Sequence, residues 1–255
     1  MGAQTLVLSS RGRRPAVAPE AAFVLDGAAR YADARDCADI PFERCTPVRD
    51  FPTWPGKRNY SGRYWSVTMG DHVPYESLYE RTALLELDRD PSVVAISSQP
   101  MWLHWPKSQG GRSHAPDFFV RHSSGDGELV DVRPRELIKP KAAEVFAATE
   151  ELCKRIGLAY RVISDLDQVL DRNLSALTRY AIPAWAPPEE LWPLLDAPEF
   201  EPTIRGIAAA LQRPEGPPAL GWVYWLIWHG VLAADLSQPL SLATPLTAHL
   251  TEGQR

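Results

Sequence analysis

The residues best placed to do chemistry lie in one stretch, His114–Arg133, HAPDFFVRHSSGDGELVDVR. Phe118, Phe119 and Val120 supply the bulk of a strand, and Asp126-Gly127 marks a reversal. Leu129, Val130 and Val132 make a returning strand. Side chains alternate along a strand, so Asp131 and Arg133 share one face and Val132 takes the other. Such a hairpin can gather Asp117, Asp131 and Arg133, two carboxylates and one permanent cation. Hard oxygens beside a cation suit a divalent metal that activates water next to a phosphate, Mg²⁺ first and Mn²⁺ as its substitute. The pattern alone has a plainer meaning too: Asp after Pro is a common turn residue, and Asp-x-Arg is often a solvated pair.

The elements that would position this hairpin can be read on either side of it. A helix over Tyr75–Asp88 has Leu78, Tyr79, Thr82, Leu84 and Leu85 at helical spacing and stops at Asp90-Pro91. It carries Glu76 and Glu80 one turn apart on a flank. Either acid can be a solvated surface charge, or a third carboxylate delivered to the hairpin. Val93–Trp105 reads as a strand, a break at Gln99-Pro100 and a second strand, so that a meander of three or four strands is expected. Lys141–Ile156 is an amphipathic helix with Gly157 as its stop, and Leu158–Ile163 follows as a strand. A helical crossover requires that strand to run parallel to the one before the helix. Ser164 and Asp167 then start another helix. This order predicts an α/β fold with a mixed central sheet flanked by helices.

The 255-residue chain has 45% apolar and 23% charged residues, the balance of a globular protein with a substantial core. No run of eighteen apolar residues occurs, so no membrane span is expected. Three cysteines, Cys37, Cys45 and Cys153, lack metal-type spacing and suit a reducing compartment, and the expected location is the cytoplasm. The net charge of −5 argues against a free-standing, tight nucleic-acid binder, but not against a nuclease whose grip comes from a partner.

Residues 1–60 read as a tail and lead-in loop, with a short strand at 23–25. Within 41–62 and just beyond, Arg49, Lys57, Arg58 and Arg63 could meet phosphate. Trp54, Tyr60, Tyr64 and Trp65 could stack on bases, unless this is simply a proline-rich loop packed on the core. The run PAWAPP, 183–188, sets an expected boundary between a domain at 61–183 and a module at 184–255. In that module, helices at 189–196, 202–212 and 219–229 and a hairpin within Val231–Leu246 suggest a winged-helix-like arrangement. Its third helix has few basic residues and carries Trp222, Trp225 and Trp228, either core or anchors for a protein partner.

The succession YESLYE, DPSVVAISSQP, HAPDFFV, ELVDVRP and CKRIGLAYRVISDLDQVLDRNLSAL resembles the TnsA family, the endonuclease subunits of Tn7-like heteromeric transposases. The resemblance covers roughly residues 60–183 and rests on the order and spacing of these motifs together. It implies a restriction-endonuclease-like core and cleavage of transposon 5′ ends. Implied partners are transposon-end DNA, a DDE-type transposase subunit that cuts and joins the 3′ ends, and an AAA+ ATPase regulator. Carried over by position, the helix acid falls on Glu80, with Glu76 as an additional acid. The acid after proline falls on Asp117, and the strand pair on Asp131 and Arg133. Mg²⁺ would be held by Asp117, Asp131 and the Val132 carbonyl, with Glu80 placing that ion or a second. Arg133 departs from the lysine usual at its position: arginine stays protonated, so it can orient and stabilise charge but take no proton. Two alternatives stand beside this reading, a catalytically degenerate scaffold of a transposition complex and a restriction or repair nuclease on the same fold.

Overall fold

The computed structural model describes residues 7–9, 15, 17–50, 60–196 and 201–249. The chain divides into two compact units: Met1–Leu87 with Ser92–Asp165, and Asp88–Pro91 with Leu166–Arg255.

In the first unit, β1 (Glu20–Leu25) and β2 (Ala28–Asp33) form a hairpin turned by Asp26 and Gly27, at φ 52° and 75°. Two successive positive φ values give a turn whose twist matches that of paired strands, and Asp-Gly is a dipeptide that adopts it readily. Ala21, Ala22, Phe23 and Val24 are buried. The short strand expected at 23–25 is thus the end of a longer one that is central to a sheet, its first residues unmarked in the sequence because alanine carries little β signal. β3 (Cys45–Thr46) pairs with the end of β1. β4 (Gly62–Ser66) and β5 (Asp71–Tyr75) make a separate hairpin in a stretch where the sequence signals no strand.

Next come α1 (Leu78–Arg89), which buries Ala83, Leu84, Leu85 and Leu87, and β6 (Val93–Ser98). Gln99, at φ 43°, turns the chain so that β7 (Met101–His104) leaves β6 and pairs with β1, Met101 opposite Phe23 and Leu103 opposite Ala21. The expected meander is thus corrected: its second strand belongs to another sheet. β8 (Ser113–His114) completes that five-stranded sheet, of order β2–β1–β7–β8 with β3 on β1. β9 (Phe118–His122) and β10 (Gly127–Val132) are antiparallel, and the reversal occupies residues 123–126, so Gly127 already belongs to the strand. α2 (Pro140–Ile156) ends on Gly157 in the left-handed conformation at φ 76°. Its crossover delivers β11 (Ala159–Ile163) parallel to β10, as the sequence requires. The second sheet runs β11–β10–β9–β6 and is mixed.

The core of this unit joins the two sheets to α2. Phe42 meets Phe23 of the first sheet edge-on at 5.3 Å and Phe119 of the second at 5.6 Å, and Leu129, Leu152, Ile156 and Leu158 complete the cluster. A mixed α/β unit with this topology fits a restriction-endonuclease-like core.

The second unit begins earlier than the expected boundary at 183. α3 (Gln168–Leu177) is capped by the Asp167 carboxylate, which accepts the Leu170 N–H at 2.7 Å. Its Asn173 donates to the carbonyls of Leu236 and Gln238 and accepts the Leu240 N–H, tying the helix to a loop some 65 residues on. The proline run does not act as a linker. Pro183–Trp185 is a 3-10 turn, Trp185 meets Tyr180 at 5.2 Å, and Pro187 is buried. α4 (Ile204–Leu211) and α5 (Leu220–Trp228) follow, then a two-residue pairing of β12 (Leu232–Ala233) with β13 (Thr247–Ala248) where a longer hairpin was expected. Among the described residues no helix is long and apolar enough to cross a membrane.

Trp222 and Trp228 are buried within this unit, and Trp225 is half-buried against His229 and Trp192. The tryptophan stripe is therefore core, and the protein-anchor reading of it is withdrawn. Trp228, 1% exposed, should be the costliest truncation here. Trp228→Ala is expected to destabilise the second unit by about 3–5 kcal/mol, read as a lower calorimetric transition.

Candidate active site

The register of β9 on β10 builds the centre of the site. Phe119 faces Leu129 and Phe118 faces Val130, so continuing by one pair sets Asp117 opposite Asp131. Antiparallel partners project to the same face, and here both are carboxylates. Asp117 Oδ2 accepts the Val132 N–H at 2.8 Å, a side chain standing where a strand carbonyl would otherwise be. The Asp117 carbonyl accepts the Gln99 N–H at 2.8 Å, so the turn that diverts β7 also fixes this corner.

Asp131 lies on a strand flanked on both sides and is 2% exposed. A carboxylate so placed needs partners to offset the loss of water. It has two: His114 Nε2 at 2.8 Å and the Tyr160 hydroxyl at 2.6 Å, both on Oδ2. Arg133 follows just past the strand end, with its N–H on the Ile163 carbonyl and its side chain exposed.

Glu80 reaches the site from the N-terminus of α1, where it joins the capping bonds of Ser77. The Glu80 N–H donates to Ser77 Oγ at 3.1 Å. Its carboxylate accepts the Ser77 hydroxyl at 3.0 Å and the Glu76 N–H at 2.6 Å. Burial raises the Glu80 pKa, and the Glu76 N–H and the Ser77 hydroxyl oppose that rise. Glu76 is not on the helix flank as expected. It precedes the helix and pairs with Arg49, whose Nε donates to Gln99 Oε1 at 3.2 Å and whose guanidinium stands 5.8 Å from the Trp102 ring. Arg49 is thus a counter-ion at this site, paired with Glu76.

A cavity of about 690 Å³ gathers these groups. Glu80, Asp117 and Asp131 line it, as do Arg133, Lys139 and Lys141. The carboxylates repel one another. Burial pushes the Asp117 pKa well up, and the charges of Asp131 and Glu80 push it further; the Val132 N–H and Arg49 only partly compensate. The Tyr160 hydroxyl is likewise held in its neutral form, first by burial and then by the Asp131 charge.

Among the described residues no three His, Cys, Asp or Glu side chains form a ready-made metal cluster. Both Glu80 oxygens already accept hydrogen bonds, whereas no hydrogen bond within the described residues engages Oδ1 of Asp117 or of Asp131. Two neighbouring carboxylates, each with an oxygen that no described residue engages, are a donor pair that fits a hard divalent cation.

Of the other cations named from sequence, Arg63 is on β4 and does not line this cavity, while Lys57 and Arg58, with Trp54, lie outside the described residues. Tyr64 is buried and Trp65 is edge-on to His72. Sequence reasoning missed His114, Tyr160, Lys139 and Lys141. The one available signal was alternation: Tyr160 sits two residues before Val162, the parallel partner of Asp131, and so shares its face.

Residues 90–165 match the family model described as TnsA-like endonuclease N terminal. The matched segment contains Asp117, Asp131 and Arg133, and Glu76, Glu80 and Arg49 precede it. No curated protein matches the chain.

Proposed function

We propose that this chain, which carries a TnsA-like endonuclease domain, is the DNA-cutting subunit of a heteromeric transposase and hydrolyses phosphodiester bonds at transposon 5′ ends. The observation that carries the reading is the Asp117–Asp131 pair, one acid immediately before β9 and the other on β10, lining one cavity, each with an oxygen that no hydrogen bond within the described residues engages. Asp117, Asp131 and the Val132 carbonyl would hold Mg²⁺, or Mn²⁺ in its place, with Glu80 as a third negative charge behind them. Bound there, the ion would lower the pKa of water and offset the charge gathering on the phosphate.

The chain's own residues do the rest. Arg133 holds the scissile phosphate in line and, unlike a lysine, offers no base for the attacking water. The exposed second cation pair is Lys139 and Lys141, at the start of α2. Like Arg133, neither has an ion-pair partner among the described residues, and all three line the cavity with the acids. They are the groups that would meet backbone phosphates flanking the cut. Lys139→Ala and Lys141→Ala should each weaken end-DNA binding by the assembled complex regardless of sequence. Each should also flatten the plot of log affinity against log salt by about one unit.

The chain is acidic overall, with a net charge of −5, so most of the grip must come from a DDE-type transposase subunit. α3–α5 with the β12–β13 pair support a winged-helix-like reading of the second unit, one that docks on protein or on DNA held by that partner. The experiment is a nicking assay on end DNA with the chain alone and with the transposase subunit. Cutting should appear only with both; efficient cutting by the chain alone at near-physiological salt would overturn the dependence. A second reading, a scaffold that has lost catalysis, draws on Arg133 in place of lysine and predicts no cutting in either arm.

A further inference from the structure

Asp131 is held in an unusual way for a residue read as a metal ligand. Both hydrogen-bond donors that reach it converge on one oxygen, Oδ2: the Tyr160 hydroxyl at 2.6 Å and His114 Nε2 at 2.8 Å. They come from opposite sides. Tyr160 is on β11, the parallel neighbour of β10, and His114 is on β8 of the other sheet, three residues before Asp117. Phe146 of α2 packs against the His114 ring at 6.0 Å, nearly edge-on, and holds it in place. With the imidazole proton on Nε2, the nitrogen facing Asp131, both contacts are donations to one carboxylate oxygen. Two donors on one oxygen stop the carboxylate from rotating, and the oxygen left over is Oδ1.

We infer that His114 and Tyr160 are positioning residues that clamp Asp131 so that Oδ1 alone serves the divalent ion, which makes Asp131 a one-oxygen ligand of fixed direction. This rests on the reading of Asp131 as a ligand. It assigns roles to two residues outside the proposed ligand set, His114 lining the cavity and Tyr160 behind Asp131 on β11, and it explains why a tyrosine and a histidine sit beside a carboxylate buried on a central strand. Partners that orient a ligating group commonly govern metal affinity by about 10–100-fold.

The test is Mn²⁺ binding to the purified full chain, by calorimetry, with melting curves recorded alongside. Working well below each melting temperature keeps a folding defect apart from a binding one. Asp131→Asn should abolish binding, and Tyr160→Phe and His114→Ala should each weaken it about 10-fold or more. His114→Gln, which keeps an N–H donor, should retain most of the affinity. In nicking assays with the assembled complex, Tyr160→Phe should need correspondingly more Mg²⁺ for half-maximal rate and recover most of the rate at saturation. If Asp131→Asn loses Mn²⁺ while Tyr160→Phe and His114→Ala bind within about two-fold of the parent, the clamp is wrong and the ligand stands. If Asp131→Asn binds as the parent does, or the parent takes up no Mn²⁺, the ligand assignment falls and the clamp with it.

Discussion

Asp117→Asn is expected to abolish nicking by the assembled complex, by on the order of 10³-fold or more, while the chain still folds and joins its partner. The magnitude follows from removing one of two hard oxygen donors, since several kcal/mol of charge stabilisation in the transition state depend on the ion they hold. Folding should survive because the amide oxygen can still accept the Val132 N–H. Metal-free stability should in fact rise. Burial and the charges of Asp131 and Glu80 all disfavour the ionised form of Asp117, and a neutral amide of the same shape escapes each of them. The paired readout is therefore a lost nick and a higher melting temperature in chelator. A variant that cuts at the parental rate would move the site elsewhere. One that melts lower and fails to assemble would make Asp117 a structural residue.

Arg133 gives the second large effect. Arg133→Ala should slow nicking about 10²–10³-fold, the usual consequence of removing one preorganised charge from a phosphoryl-type transition state. The side chain is exposed, so stability should change little. Arg133→Lys keeps the charge and adds a group able to exchange a proton, and should retain or exceed the parental rate. Equal rates for Arg133→Ala and the parent would remove Arg133 from the mechanism. A collapse with lysine as severe as with alanine would mean that the planar fork of the guanidinium grips two phosphate oxygens at once.

The acids of the site were legible because they belong to one hairpin and because strand alternation is strict. Phe118, Phe119, Leu129 and Val130 fix the register, and the register fixes where Asp117 and Asp131 go. The parallel entry of β11 was equally legible, since a helix such as α2 between two strands leaves no other arrangement. What escaped was whatever depended on distant partners. β7 is buried on both faces and pairs with β1 nearly 80 residues earlier, so neither alternation nor adjacency revealed that it leaves β6. His114 and Tyr160 meet at Asp131 from two sheets, a convergence that no local spacing encodes. Glu80 was singled out, but its capping bonds to Ser77 and Glu76 were not foreseen, although Ser77-x-x-Glu80 is a capping-box pattern. The prolines at 183–188 looked like a linker because proline marks turns, and here the turn is packed. Trp222 and Trp228 could be core or interface on composition alone, and only their burial within the second unit decides.

The central claim is that the Asp117–Asp131 pair holds the ion with which this chain cuts DNA. Its most direct test is strand-specific mapping of the cut on end-labelled transposon DNA by the assembled complex, in Mg²⁺ and in chelator, with parental chain and with Asp131→Asn. The account predicts a break at the 5′ ends that requires Mg²⁺ and vanishes with Asp131→Asn, while the 3′-end cuts of the partner persist. A 5′-end break that survives chelation, or that Asp131→Asn makes as fast as the parent, would contradict it.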